Sequence, residues 1–339
     1  MTIGVWIAIV VVAVAVALVV TSFIVWRTRE FRRLRSGSVV ADTARGPVEY
    51  ALEGNGPVVV VLHGGMGGWD QGLAISQDLG LEAQFTVLAP SRAGYLRTPL
   101  STCRTPEQTA DAIVALLDDL GMDKVAVIGI SGGGPTALTL ALRLKDRVQA
   151  LVMLAAITCR HEQPARSTSD GIVRLMFSDS ANLILDFVLW VFMVQLIRIL
   201  PRYMVKRIFQ ATETFDKKGL ERRVEEVMRH REQWTWMARL FESSLPLSVR
   251  KVGLDNDLKQ FAALPVYPVE NITCPTLVVH GRHDGNVPFS HAAFVADNVP
   301  NAELFVAETC GHLIWMSDDA EPAREKVTSF LQTTLSGAV

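Results

Sequence analysis

One short stretch of the sequence, residues 125–134, constrains the fold more than any other. Residues 125–130 form an apolar run rich in β-branched side chains, which is typical of a buried parallel strand. The run ends in Gly-Ile-Ser-Gly-Gly at residues 129–133, and a helix-like segment at 135–144 follows directly. A Gly-x-Ser-x-Gly turn between strand and helix lifts the hydroxyl of its serine out of the sheet. The stretch therefore predicts that Ser131 is exposed at a helix N-terminus, where amide groups suit a developing oxyanion.

The glycines of this turn have a physical explanation, although the pattern alone has others. We expect that a Cβ atom at residue 129 or 133 would collide with neighbouring backbone, and that the tight turn needs unusual backbone angles. Glycine-rich turns between strands and helices also bind phosphates, and many are simple tight turns. The surrounding sequence has to decide between these interpretations.

Strands and helices alternate through most of the chain. Strands are predicted at residues 47–52, 58–62, 85–89, 125–130, 148–156, 276–280 and 302–306. Helices are predicted at 105–120, with Thr105 as N-cap and Pro106 in the first turn, and at 135–144, 290–298 and 322–335. This alternation predicts a mostly parallel sheet with helices on both faces. Functional loops of such sheets gather at the carboxyl ends of the strands.

Four loops that follow predicted strands resemble those of the α/β-hydrolase fold family. Besides the Ser131 turn, they are His-Gly-Gly at residues 63–65, similar to the oxyanion loop, His-Gly-Arg-His-Asp-Gly-Asn-Val-Pro at 280–288, similar to the acid loop, and Gly-His at 311–312, similar to the histidine loop. The family order of serine, acid and histidine is kept. The resemblance extends from about residue 47 to the C-terminus and is weakest in the middle.

The resemblance implies a role for each residue of a catalytic triad. Ser131 would be the nucleophile, His312 the base and then the acid, and Asp284 the group that orients the imidazole. The amides of Gly132 and Gly65 would stabilise the oxyanion, each by roughly 3–4 kcal/mol in analogous sites. Met66 is the alternative to Gly65, because the sequence does not fix the register of that loop.

Several residues compete for these roles. His283 is a rival to His312, and Asp318 and Asp319 are rivals to Asp284. The two aspartates follow Ser317 shortly before the last helix, and all three look like capping or first-turn residues. We expect His63 to be a structural hydrogen-bonding residue. The loop Ser-Arg-Ala-Gly at residues 91–94 departs from the common aspartate-led form of the family, so its local anchoring stays open.

The first 26 residues predict a transmembrane anchor. Residues 3–26 contain no charged side chain and are long enough to span a bilayer, with Trp6 and Trp26 placed for the two interfaces. A cleaved signal peptide fits poorly, because the run is too long and no basic side chain precedes it. Residues 27–46 are interpreted as a basic juxtamembrane linker, with arginines at 27, 29, 32, 33 and 35. The positive-inside rule then places the remaining chain on the cytoplasmic side.

Residues 159–271 separate the serine strand from the acid strand and are predicted to form a helical lid over a core made of residues 47–158 and 272–339. The apolar run 183–200 either packs on the core or lies on the membrane surface. One membrane crossing there would put Ser131 on the opposite side from Asp284 and His312. A stripe of polar side chains favours the surface position, provided that Pro201 only kinks the helix. The stripe consists of Gln195, Arg198, Arg202 and Lys206, and an aromatic group at 234–241 is expected to pack under the lid or line an acyl pocket.

Composition narrows the function further. The 339 residues carry 33 basic and 35 acidic side chains, so nothing favours nucleic-acid binding. The four cysteines have no metal-ligand spacing, and neither a metal nor another cofactor is expected. The sequence thus predicts a membrane-anchored serine hydrolase that cleaves esters of apolar or lipid-like acyl groups. The alternatives are a small-peptide hydrolase similar to proline iminopeptidases, and a non-catalytic scaffold on the membrane.

Overall fold

An eight-stranded sheet in the order β1-β2-β4-β3-β5-β6-β7-β8 forms the centre of the structure, a computed structural model that describes residues 2–161 and 181–336. The strands are β1 (Val39–Thr43), β2 (Gly46–Glu53), β3 (Val58–Leu62), β4 (Thr86–Pro90), β5 (Val125–Ile130), β6 (Val148–Leu154), β7 (Thr276–Gly281) and β8 (Ala302–Ala307). β2 pairs antiparallel with β1 and β4, and every other pairing is parallel. The predicted mostly parallel sheet is confirmed.

Helices cover both faces of the sheet. They are α1 (Ile3–Ser36), α2 (Trp69–Asp78), α3 (Pro106–Asp119), α4 (Gly134–Arg143), α5 (Asn182–Ile199), α6 (Pro201–Thr212), α7 (Lys217–Arg229), α8 (Arg231–Glu242), α9 (Lys251–Phe261), α10 (Ser290–Asn298) and α11 (Ala320–Ser336). Buried side chains of α3, α4 and α10 pack on one face, and those of α2 and α11 on the other. The hydroxyl of Thr105 accepts the amide of Gln108 and caps α3, as predicted.

The segment predicted as a linker is ordered secondary structure. α1 continues to Ser36, and β1 then pairs with β2 from Val39 opposite Tyr50 to Thr43 opposite Gly46. The interpretation of residues 27–46 as a linker was therefore wrong. The strand was missed because β1 lies at the edge of the sheet. Its side chains are largely exposed, so it lacks the apolar pattern that marks a buried strand.

The C-terminal half of α1 packs on α5. Phe23 is buried, and its ring lies 5.2 Å from that of Phe187 and 5.6 Å from that of Trp190. Arg27 donates to the buried Asp186 at 3.0 Å. Among the described residues, the two helices Ile3–Ser36 and Asn182–Ile199 are long and apolar enough to cross a membrane, judged by length and composition alone.

The polar stripe predicted on the lid is engaged within the protein. α5 ends at Ile199 and a separate helix begins at Pro201, so the proline breaks the helix rather than kinking it. The basic members of the stripe pair with lid carboxylates: Arg198 with Glu242, Arg202 with Glu221 and Glu225, and Lys206 with Glu221. These charges therefore hold the lid helices together. The aromatic group of α8 also packs: Trp236 and Met237 belong to the core.

Candidate active site

Ser131 lies in a strained turn between β5 and α4. Its φ angle is +47°, in the left-handed region that residues other than glycine rarely adopt. The flanking glycines are required for close approach: a Cβ on Gly129 would lie 2.6 Å from the Cβ of Ala137, and one on Gly133 would lie 2.4 Å from the carbonyl oxygen of Leu62. A Cβ atom at residue 129 or 133 would therefore collide with its neighbours, as expected. The unusual backbone angle, however, belongs to Ser131 itself.

Asp284 and His312 form a hydrogen-bonded pair at the same edge of the sheet. The Nδ1 atom of His312 lies 2.7 Å from the Oδ2 atom of Asp284, whose side chain is fully buried. The other carboxylate oxygen accepts the amides of Asn286 and Val287, each at 2.8 Å. These bonds fix the carboxylate plane, an arrangement in which Asp284 can orient the imidazole of His312.

Electrostatics favour the charged state of this pair. Burial alone would raise the pKa of Asp284, but His312 and His280 hold it well below its ordinary value. Burial likewise lowers the pKa of His312, yet the charge and hydrogen bond of Asp284, with a smaller contribution from Glu213, leave it above the usual 6.5. A carboxylate that stays ionised beside a histidine of raised basicity suits general-base catalysis.

The loops that carry Ser131 and His312 lie at the same edge of the sheet. Ser131 follows β5, Asp284 follows β7 and His312 follows β8, and the carboxyl ends of these parallel strands lie at one edge. Within residues 2–161 and 181–336, no hydrogen bond links the side chains of Ser131 and His312. Catalytic hydrogen bonds are often long without substrate and tighten when it binds.

The rival residues are engaged elsewhere. The ring of His283 stacks on that of Phe215, with centroids 4.0 Å apart. Asp319 accepts the amide and the hydroxyl of Thr309, and Asp318 is exposed. The geometry thus pairs Asp284, and none of these three residues, with His312.

The oxyanion loop approaches the serine turn closely. A Cβ on Gly64 would lie 3.2 Å from the Cβ of Ser131, and one on Gly132 would lie 3.4 Å from the amide nitrogen of Gly65. The Gly65 amide donates to no protein acceptor in the part of the chain that the structure describes. The amide of Gly65 is therefore placed to present a free donor beside Gly132.

A buried ion pair that the sequence did not reveal supports this loop. Arg92 makes two bonds to the carboxylate of Asp257 in α9, at 2.8 and 2.6 Å, and its Nε atom donates to the carbonyl oxygen of His63 at 3.0 Å. His63 is the expected structural residue: its Nδ1 atom binds the carbonyl of Gly64 and its Nε2 atom accepts the amide of Arg92. The only signal in the sequence was the arginine in the unusual loop at residues 91–94.

Cavities and metal ligands add little to this site. No group of three or more histidine, cysteine, aspartate or glutamate side chains is arranged to hold a metal within the described ranges. A cavity of about 10 Å³ lies behind Gly132 and is too small for an acyl chain. A larger one, of about 290 Å³, lies between α2 and α8 and contains none of the triad residues.

Comparison with known proteins identifies the fold family. A family model for the alpha/beta hydrolase fold matches residues 57–319, so the chain belongs to the α/β-hydrolase fold family. The structure is similar to that of an alpha/beta hydrolase fold protein from Nakamurella multipartita, with a TM-score of 0.75 and 32% identity over 87% of this chain and 99% of the other.

Curated relatives are hydrolases. The chain is 26% identical to the hydrolase YcgS of Bacillus subtilis over 85% of its own length and 96% of the relative. It is also 26% identical to 2-hydroxy-6-oxononadienedioate/2-hydroxy-6-oxononatrienedioate hydrolase 2 of Pseudomonas putida, over 89% of this chain and 96% of that protein. Family and relatives together make this protein a hydrolase.

Proposed function

We propose that this protein is a membrane-anchored serine hydrolase that cleaves carboxylic esters of apolar acyl groups through an acyl-enzyme. The observation that carries the proposal is the 2.7 Å contact between Asp284 and His312 at the sheet edge where the strained turn presents Ser131. His312 takes the serine proton as the hydroxyl oxygen attacks the carbonyl carbon, and returns it to the leaving alcohol. A water molecule, deprotonated by the same histidine, then releases the acid and frees Ser131.

The surroundings of the oxyanion loop favour an uncharged, apolar acyl group. In α9, Leu254 lies 3.7 Å from where a Cβ of Gly65 would be, and Phe261 lies 2.9 Å from the corresponding point on Gly132. The substrate named for the Pseudomonas putida relative is a dicarboxylate. Here the buried arginines near the loop are already bound, Arg92 to Asp257 and Arg250 to Asp70. Neither guanidinium offers a free fork to a substrate carboxylate.

The N-terminal half of α1 supports a membrane location. Its apolar residues are exposed, although a leading apolar helix is also typical of a signal sequence. Arg29, Arg32 and Arg35 are exposed just after the apolar part, which favours the cytoplasmic side for the hydrolase domain. Beside this helix the lid exposes a set of apolar side chains that would meet the bilayer surface: Leu183, Ile184, Val188, Phe192, Ile199, Leu200 and Tyr203.

Labelling with a fluorophosphonate tests the catalytic part of the proposal. Wild-type protein should be labelled and should hydrolyse nitrophenyl esters, with turnover rising with acyl chain length, while Ser131→Ala should lose both activities. Ser290→Ala changes an exposed serine at the start of α10 and is the matched control. Labelling that persists in Ser131→Ala would identify a different nucleophile. Cleavage of amino-acyl amides in preference to esters would favour the peptidase, and no labelling at all would favour the scaffold.

Full-length protein in liposomes tests the membrane part. Ile184→Asp and Phe192→Asp place charges on the exposed lid surface, so turnover of an ester embedded in the vesicle should fall several-fold while that of a short soluble ester stays unchanged. The control is Val266→Asp, at an exposed valine next to Leu264 and Tyr267, which pack on the opposite face of the sheet. Equal losses on both substrates would argue against contact between lid and bilayer.

A further inference from the structure

The end of lid helix α6 is paired with the loop that carries Asp284. The amide of Gly285 donates to the carbonyl oxygen of Thr212, and the amide of Thr214 donates to that of His283, both at 2.9 Å. Glu213 thus stands opposite Asp284 in a single antiparallel bridge. Through these bonds the lid contacts the backbone on both sides of the catalytic acid.

The side chain of Glu213 reaches the histidine loop as well. Its Oε1 atom accepts the amide of Gly311, the residue before His312, at 3.2 Å. A Cβ on Gly311 would lie 2.6 Å from the Cγ of Glu213, so the glycine permits this contact. The carboxylate is buried, and no role in the chemistry described above accounts for it.

Arg223 of α7 completes the connection on the other side of His312. Its Nη1 atom donates to the carbonyl oxygen of Met316 at 2.6 Å, while its Nε atom lies 3.7 Å from the Oε2 atom of Glu213. The guanidinium also lies over the ring of Phe209, 4.8 Å from its centre. Both charged side chains are almost fully buried.

This ion pair is incompletely satisfied. Among the described residues, the Nε and Nη2 atoms of Arg223 and the Oε2 atom of Glu213 have no hydrogen-bond partner. A buried pair with such gaps contributes little stability compared with apolar side chains of similar size. Its position on both sides of the histidine loop suggests a different role.

We propose that Glu213 and Arg223 are positioning residues through which the lid sets the placement of His312. The inference rests on the proposed function, because it needs His312 to act as the base. Glu213 holds the backbone before the histidine and Arg223 holds it after, so the lid must be seated for the imidazole to be in place.

The charge of Glu213 adds an electrostatic effect to this placement. It helps to raise the pKa of His312, and burial raises the pKa of Glu213 itself to about 7 against the opposing effects of Arg223 and the Gly311 amide. The charged or titratable groups that face Glu213 are Arg223, Glu226, Asp284, His312 and Cys310. Replacing Glu213 by a side chain that cannot ionise should therefore lower the pKa of His312.

The test compares isosteric variants of full-length protein. Glu213→Gln keeps an acceptor for the Gly311 amide and removes the charge. We expect the acid limb of kcat/KM for a nitrophenyl ester to move down by on the order of half a pH unit. We also expect kcat to fall about ten-fold with little change in KM, because the base is weaker and less well held. Glu232→Gln, which removes an exposed carboxylate of lid helix α8, should change neither.

Arg223→Lys separates position from charge. It keeps the positive charge near Glu213 but shortens the reach to Met316, so kcat should fall while the acid limb stays in place. A Glu213→Gln profile that matches wild type, in protein that melts as a single cooperative unit, overturns the inference. If Glu213→Gln fails to fold, an unchanged kcat in Arg223→Lys overturns it instead. Failure of the wild-type protein to react with fluorophosphonate would contradict the proposed function and is a separate result.

Discussion

The proposed nucleophile, Ser131, and the proposed base, His312, are held in different ways. Ser131 is fixed by backbone that surrounds it in sequence, since β5, the turn and α4 are consecutive and the contacts of Gly129 and Gly133 are with β3 and α4. The loop of His312 is held by side chains of the lid, through Gly311 and Met316. We therefore expect that movement of the lid would displace His312 and leave Ser131 in place.

The largest effect should come from removing the hydrogen bond between Asp284 and His312. Asp284→Asn allows the imidazole to take the wrong tautomer, so kcat should fall about 10⁴-fold while the rest of the site is kept. Because the charge of Asp284 also raises the pKa of His312, the acid limb of the variant should move to lower pH, and the loss should be largest above the wild-type pKa of His312. Esterase assays from pH 5 to 9 measure it, with Asp319→Asn as the control. Activity within ten-fold of wild type would remove Asp284 from the triad.

A smaller effect is expected when the backbone that holds the nucleophile is disturbed. The added methyl group of Gly133→Ala would lie 2.4 Å from the carbonyl oxygen of Leu62 and 3.0 Å from that of His63, both of them backbone atoms. The backbone must shift, so we expect a loss of about 3 kcal/mol in the free energy of unfolding. Thermal melting in detergent measures the change. Gly4→Ala, with no atom within 4 Å of the added methyl group, should leave the melting temperature unchanged.

The smallest effect sharpens the comparison on the lid side, through stability rather than rate. The folded pKa of Glu213 is about 7, above its ordinary 4.5, so its contribution to stability is present at pH 4.5 and is lost as the pH rises through 7. Glutamine does not titrate. Between pH 5 and 8, therefore, the stability of Glu213→Gln relative to wild type should rise by roughly 2–3 kcal/mol. Denaturant unfolding at the two pH values measures this, and a constant difference would mean that Glu213 is not desolvated.

The same contrast explains what the sequence could predict. The Ser131 turn was predictable because its strand, glycines and helix are adjacent, and Thr105 marked the start of α3 in the same local way. The pairs Arg92–Asp257 and Glu213–Arg223 were missed, because they join residues of different elements and no local pattern marks them. The closeness of Gly65 to Gly132 also needed the fold, since it depends on how the oxyanion loop packs against the serine turn.

The continuity of α1 has a consequence for the orientation of the whole protein. The helix runs unbroken from Ile3 to Ser36, and Phe23 and Arg27 attach it to α5. Its N-terminal turns and the rest of the protein therefore rotate as one body. Deleting a single residue just before Phe23 would rotate the N-terminal turns by about 100° relative to the rest of the protein and would shorten the helix by about 1.5 Å. The direction in which the catalytic face points, relative to the surroundings of the first twenty residues, therefore changes with each residue added to or deleted from α1.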